Sequence, residues 1–230
     1  MKLPRPEMVL LDVDGTLVDS VPDLAYCIDA MMKALGLPRR GEDKVRLWVG
    51  NGVERLVKRA LVDDLEGEPD PDLFQRALPI FLDCYQANIC KRSRLFPGVR
   101  EGLAWLKREG FKLGCVTNKS ERFTLPLLEA LGIRDYFQVV VCGDTLDRQK
   151  PDPAPLLHAA RTLGVAPERS LLVGDSVSDV RAARAAGFQV VCVSYGYNHG
   201  EDIRKAGCDA VIDRLTELPE LIGAPAKAAC

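Results

Sequence analysis

The stretch Val9–Ser20, VLLDVDGTLVDS, opens as a short apolar run and stops on two aspartates one residue apart. The run from Met8 to Leu11 shows no alternation of polar and apolar residues. That pattern belongs to a parallel strand covered on both faces. Two carboxylates crowded at its end oppose each other's ionisation. In an open parallel sheet, however, ligands bind outside the carboxyl ends of the strands. Asp12 and Asp14 stand at such an end, which points to a site where a cation or a reaction offsets the crowding.

Outward from this stretch, similar runs recur at Phe111–Val116, Phe137–Cys142, Leu171–Val173 and Phe188–Val193, with a weaker one at Asp209–Asp213. Helical periodicity lies between them, at Val99–Glu109, Arg122–Leu131, Ala154–Leu163 and Val177–Ala186. Gly110, Gly132, Gly164 and Gly187 supply helix stops. Alternating strand and helix predicts a doubly wound, Rossmann-like α/β core with a parallel sheet. The rhythm breaks between Ser20 and Lys91. There, VPDLAYCIDAMMKALGL, GVERLVKRALVDDL and PDLFQRALPIFLDCYQANIC read as three helices, with GLPRRGED and EGEPDPD as turns. The expected organisation is a core of residues 1–19 and 92–230 with a helical cap, 20–91, inserted after the first strand. The Ala/Pro-rich tail, GAPAKAAC, is expected to fray.

Composition narrows the function classes. The 230 residues are 47% hydrophobic and 28% charged, with a formal net charge of −2. That balance gives no electrostatic case for binding nucleic acid or an anionic membrane. No apolar run approaches the ~20 residues a bilayer-spanning helix needs, and the N-terminus does not read as a signal peptide. Eight cysteines lie scattered without C-x-x-C spacing, several inside apolar runs. They read as core thiols of a cytoplasmic protein. Cys142–Arg148 fits the C-x5-R spacing of cysteine phosphatases, but Asp144 and Asp147 inside it would repel phosphate. His158 and His199 belong to no plausible triad and read as surface residues.

Polar residues of several kinds converge on the predicted strand ends: Asp12, Asp14 and Gly15; Thr117 and Asn118; Asp175 and Ser176; Asp179 one helical turn later; and Lys150 before the third core helix. This set suits a phosphate ester. One of the paired acids can attack phosphorus while the other gives a proton to the leaving oxygen. Asp175 adds a third hard oxygen ligand, the donor type that Mg²⁺ prefers. Lys150 offers positive charge, and Thr117 and Asn118 offer neutral hydrogen bonds to phosphoryl oxygens. Asp179 is placed to orient Lys150 or metal-bound water.

DVDGT, VTN, KP and GDSVSD, in that order, resemble the four motifs of the haloacid dehalogenase-like hydrolases. The resemblance implies Asp12 as nucleophile, Asp14 as general acid/base with its backbone carbonyl on Mg²⁺, Asp175 as third metal ligand, and phosphate contacts from Thr117, Asn118 and Lys150. It also implies that the inserted helices form the family's cap. Asp14 points to phosphate rather than halide chemistry, since the dehalogenases lack this acid. LWVGNGVERLV (Leu47–Val57), TNKS and CGDTLDRQKPDPAPL further resemble bacterial phosphoglycolate phosphatases. Gly50, Asn51 and Gly52 open a helix whose first amides could take a small carboxylate.

A phosphatase for a sugar or amino-sugar phosphate, or a phosphomutase, would share these core residues, so only the cap discriminates. A receiver-domain switch also surrounds an aspartate with acids, a threonine and a lysine. Its lysine comes last in the chain, whereas Lys150 precedes Asp175 here. The expected partner is therefore a small phosphate ester.

Overall fold

The computed structural model describes residues 2–223; the tail beyond them, with Cys230, lies outside the described residues. The chain enters through β1 (Met8–Leu11) and the two-residue strand β2 (Val18–Asp19). Four helices follow: α1 (Val21–Ala34), α2 (Glu42–Trp48), α3 (Gly52–Val62) and α4 (Pro71–Asn88). A second short strand, β3 (Arg94–Leu95), returns the chain to α5 (Val99–Arg108), β4 (Lys112–Val116) and α6 (Glu121–Ala130). Then come β5 (Val139–Val141), α7 (Ala154–Leu163), β6 (Ser170–Gly174), α8 (Val177–Ala186), β7 (Gln189–Val193), β8 (Ala210–Ile212) and the short α9 (Leu218–Ile222).

Six strands form one parallel sheet in the order β5-β4-β1-β6-β7-β8, so the expected doubly wound α/β fold is what the chain adopts. Alternate side chains of β1 enter different layers, because successive residues of a strand point to opposite faces. Val9 and Leu11 pack with Leu103 and Leu127, from α5 and α6. Met8 and Leu10 pack with Leu156 and Val180, from α7 and α8. All four β1 side chains are fully buried, each contributing roughly 2 kcal/mol of apolar burial. β1 lies between β4 and β6, so the winding reverses beside it and a crevice opens at the ends of these three strands.

The insert holds four helices, where periodicity suggested three. α2 is only seven residues long, and its first two, Glu42 and Asp43, lie in what reads as a turn. A helix of two turns carries too few periodic positions to stand out against its Gly/Pro/Arg-rich approach. Ile28, Met31, Val57, Phe81 and Tyr85 build an apolar cluster of the insert's own, which continues into Phe123 and Tyr197 of the core. The insert is therefore packed down on the core.

Two features bind its crossing points. β2 and β3 pair antiparallel, Val18 opposite Leu95 and Asp19 opposite Arg94. Just inside them the buried Asp23 carboxylate accepts from Arg92 N (2.9 Å), Ser93 N (2.9 Å) and Ser93 Oγ (2.6 Å). The ribbon escaped the sequence reading because two-residue strands have no period to detect.

Candidate active site

β1 delivers Asp12 and Asp14 to the crevice. Asp12 N continues the ladder to Val173 O at 3.0 Å, and the chain then folds back, with Gly15 N donating to Val18 O at 3.0 Å. Gly15 takes φ +87°, and a Cβ there would stand 2.2 Å from Asp175 Oδ2. Only glycine lets the first loop approach the third acid this closely. Gly196 does the same from the loop after β7, where a Cβ would meet Asp175 Cβ at 2.1 Å.

Asp175 is held from both sides. Its Oδ1 accepts from Thr16 Oγ1 (2.8 Å) and its Oδ2 from Tyr197 N (2.6 Å). Burial, with the charges of Asp179 and Asp12 added, raises its carboxyl well above the ordinary range. Asp12 is pushed up to about 6, chiefly by burial, with Lys150 pulling against it. Its Oδ1 lies 3.0 Å from Lys150 Nζ without hydrogen-bond geometry, and it is buried with no hydrogen-bonding donor among the described residues.

Asp179 divides its two oxygens. Oδ2 closes a capping box at the start of α8, accepting from Ser176 N (3.1 Å) and Ser176 Oγ (2.6 Å). Oδ1 accepts from Lys150 Nζ at 2.6 Å. Lys150 Nζ also donates to Val116 O at 2.9 Å. Burial lowers the affinity of this lysine for its proton, but Asp12 and Asp179 outweigh that and raise it. Lys150 thus spends two of its donors inside the protein and keeps one for the side of Asp12.

Oxygens of Asp12, Asp175 and Asp179 lie within 4.8 Å of one another. These three carboxylates are the side chains that could hold a metal, although Asp179 already receives Lys150 and Ser176, and Asp175 receives Thr16 and the Tyr197 amide. The donors are hard oxygens, their charges crowd, and Asp12 Oδ1 lacks a donor among the described residues. A divalent cation of the Mg²⁺ type fits all three conditions.

At the end of β4, Thr117 and Asn118 face the same crevice. The Asn118 side chain also has partners inside the protein. Its Nδ2 donates to Lys150 O (2.8 Å) and its Oδ1 accepts from Lys150 N (2.9 Å), so it fastens the lysine's loop to the strand end. Lys119, the next residue, was not singled out from the sequence. It is buried, with Nζ 3.0 Å from Asp14 Oδ2 and 2.6 Å from the Tyr85 hydroxyl of α4. Burial works against its charge, but Asp14 and Tyr85 raise its proton affinity above the ordinary value.

The insert supplies the opposite wall. Gly50, Asn51 and Gly52 line the crevice with the core acids. All three have positive φ, 126°, 62° and 83°. Behind them Arg59 is buried and donates to Trp48 O (2.8 Å), Gly50 O (3.3 Å) and Asn51 Oδ1 (3.2 Å). His199 also lines the crevice, with Nδ1 2.8 Å from Leu47 O, so it is not the plain surface residue the sequence suggested. Lys119 was legible in principle, since it extends the polar run at the end of β4. Arg59 and Tyr85 gave no signal, because both sit in periodic helical stretches.

The model of the haloacid dehalogenase-like hydrolases matches residues 9–193 of the chain. A phosphoglycolate phosphatase of Nitrosococcus oceani is 66% identical over 220 residues, 96% of this chain and 98% of that protein. One from Nitrosospira multiformis is 49% identical over 96% of this chain and 98% of its own length. A crystal structure of a predicted phosphoglycolate phosphatase from Haemophilus somnus superposes with a TM-score of 0.88 at 37% identity, covering 93% of this chain and 96% of that one. With this similarity along nearly its whole length, the chain belongs to the haloacid dehalogenase-like hydrolases, as a phosphoglycolate phosphatase-like enzyme.

Proposed function

We propose that the enzyme hydrolyses 2-phosphoglycolate to glycolate and phosphate through an aspartyl-phosphate on Asp12. The observation that carries this reading is that core and insert residues face each other across one crevice. The acids and Lys150 lie on the core side, and the Gly50–Gly52 loop faces them from the insert. Phosphoglycolate carries a phosphate and a carboxylate two carbons apart, which matches a small substrate held between two facing walls. The names of the relatives support the same substrate.

In the first step an Asp12 oxygen attacks phosphorus, and Asp14 gives its proton to the glycolate oxygen as that P–O bond breaks. In the second, Asp14 takes a proton from water, which attacks phosphorus and frees Asp12. Mg²⁺, held by Asp12, Asp175 and the Asp14 carbonyl, would offset the crowded negative charge and orient the phosphoryl group. Lys150 steadies Asp12 and keeps one donor for a phosphoryl oxygen, joined by the Thr117 hydroxyl. Asn118 acts by holding the Lys150 loop, with Ser176 and Asp179 supporting from α8. Residues 20–91 act as the cap that selects the substrate.

A panel of small phosphate esters assayed with Mg²⁺ tests the reading, with 2-phosphoglycolate expected to give the highest kcat/KM. A preference for sugar phosphates overturns it. Gly50→Val and Gly52→Val are expected to raise KM for phosphoglycolate, because a side chain strains the positive-φ loop and covers its amides. An unchanged KM removes the loop from the site.

A further inference from the structure

Asp14 is the acid that must meet the leaving oxygen, and its carboxylate is gripped from behind. Lys119 Nζ lies 3.3 Å from Asp14 Oδ1 and 3.0 Å from Oδ2, astride both oxygens. The third neighbour of this ammonium is the Tyr85 hydroxyl at 2.6 Å. Tyr85 belongs to α4 of the insert, whereas Asp14 and Lys119 follow β1 and β4 of the core. Both Tyr85 and Lys119 are almost wholly buried, at 1% and 5% exposure. Tyr85 is further fixed by ring contacts on both sides of the crossing, with Phe81 of its own helix at 5.7 Å and Phe123 of α6 at 4.8 Å between centroids. A buried ammonium needs its partners, and one of this lysine's partners arrives only with the insert.

We propose that Tyr85 and Lys119 are positioning residues that make leaving-group protonation by Asp14 depend on the docking of α4 against the core. With α4 docked, Tyr85 fixes Lys119 and Lys119 fixes the Asp14 carboxyl. As the proton passes from Asp14 to the ester oxygen and the P–O bond breaks, negative charge appears on Asp14 beside the waiting ammonium. Charge that develops against a preorganised partner in a water-poor site is stabilised more than in water. With α4 withdrawn, the lysine loses a partner, Asp14 loses its fixed position, and protonation waits for the cap. Hydrolysis of the phosphoester would then be gated by residues of the insert that do not touch the substrate.

This inference rests on Asp14 being the general acid, and the test separates the two. Release of the leaving group is followed in single turnovers with Mg²⁺ for two esters. One is the best alkyl phosphate of the panel above; the other is p-nitrophenyl phosphate, whose phenolate departs without a proton. Asp14→Asn is expected to slow alkyl release on the order of 10²-fold or more while sparing aryl release. Tyr85→Phe and Lys119→Met are expected to show the same selectivity, with alkyl release slowed roughly tenfold or more, the range of one lost charge-assisted hydrogen bond. KM should stay near the wild-type value, and Lys119→Arg should restore part of the loss. Tyr85→Phe removes a single oxygen and decides the matter if Lys119→Met does not fold. Equal slowing of both esters by Tyr85→Phe makes the contact merely structural and overturns the proposal. A raised KM with unchanged release rate makes Lys119 a substrate contact and also overturns it. If Asp14→Asn slows both esters equally, the general-acid reading falls and takes the proposal with it. If Asp14→Asn is selective and Tyr85→Phe and Lys119→Met are not, only the proposal falls.

Discussion

Asp12 shares a buried pocket with Asp175 and Asp179, and a single ammonium, Lys150, answers Asp12 and Asp179 together. The arrangement stores unfavourable charge at one point, as sites that must bind a cation and react do. Asp12→Asn keeps the shape, removes the proposed nucleophile and lowers the crowding. Turnover is expected to vanish while the circular dichroism spectrum and melting temperature stay at or above wild-type values. Residual activity in highly purified Asp12→Asn would show that Asp12 is not the nucleophile. The sequence displayed these acids openly because short loops at strand ends carry them. It did not display how Asn118, Lys119 and Asp179 divide their hydrogen bonds. Those choices depend on which partners reach them from segments as far away as Tyr85 and Lys150.

Among the elements, the linkers and the sheet edge each turn on one carboxylate. Asp23, at the start of α1, takes four donors from Arg92 and Ser93 where the chain leaves the insert: both amides, the Ser93 hydroxyl and Arg92 Nη1. Asp23→Ala leaves the buried Ser93 amide and hydroxyl unpaired, a cost of about 2–4 kcal/mol, which urea unfolding should register. At the edge, Asp209 enters β8 and accepts from Arg184 Nη2 (2.7 Å) and Val190 N (2.7 Å), fastening α8 and β7 to the last strand. Partial burial raises its pKa, but Arg184 and the Val190 amide outweigh burial and hold it below the ordinary 3.8. A depressed carboxyl pKa stabilises the fold above the unfolded value and loses that contribution as pH falls through the folded value. Asp209→Asn is therefore expected to lose about 1 kcal/mol near neutral pH, with the difference from wild type closing as pH drops below 3.8. A difference independent of pH would exclude the ion pair as its cause. The core helices were legible because apolar periodicity and terminal glycines agree over ten residues. α2 and the β2–β3 ribbon were not, because elements of seven and two residues are recognised by what they pack against.

For the whole molecule, the decisive relation is between insert and core. Arg46 of α2 donates to Asp19 of β2 at 3.1 Å and lies 5.3 Å over the Tyr197 ring, while the Tyr197 hydroxyl donates to the same Asp19. The insert is thus latched to its linker and to the loop after β7 at once. Arg46→Ala is expected to speed backbone hydrogen exchange in α2 and the β2–β3 ribbon. It should also raise KM for the preferred ester several-fold through a less closed crevice. Unchanged exchange would show that the apolar contacts through Phe123 and Tyr197 hold the insert without the latch. By itself the sequence determined the parallel sheet and the acids at the ends of its strands. Buried strands leave continuous apolar runs, and reactive loops follow them at fixed points. Only the tertiary structure decided that Lys119 meets Asp14 and Tyr85, that Arg59 backs the Gly50–Gly52 loop, and that Asn118 serves Lys150. The Lys119 and Asn118 contacts join segments 32 or more residues apart, whereas Arg59 reaches back eight to eleven residues from its own helix. No local pattern records which groups folding brings within hydrogen-bond reach.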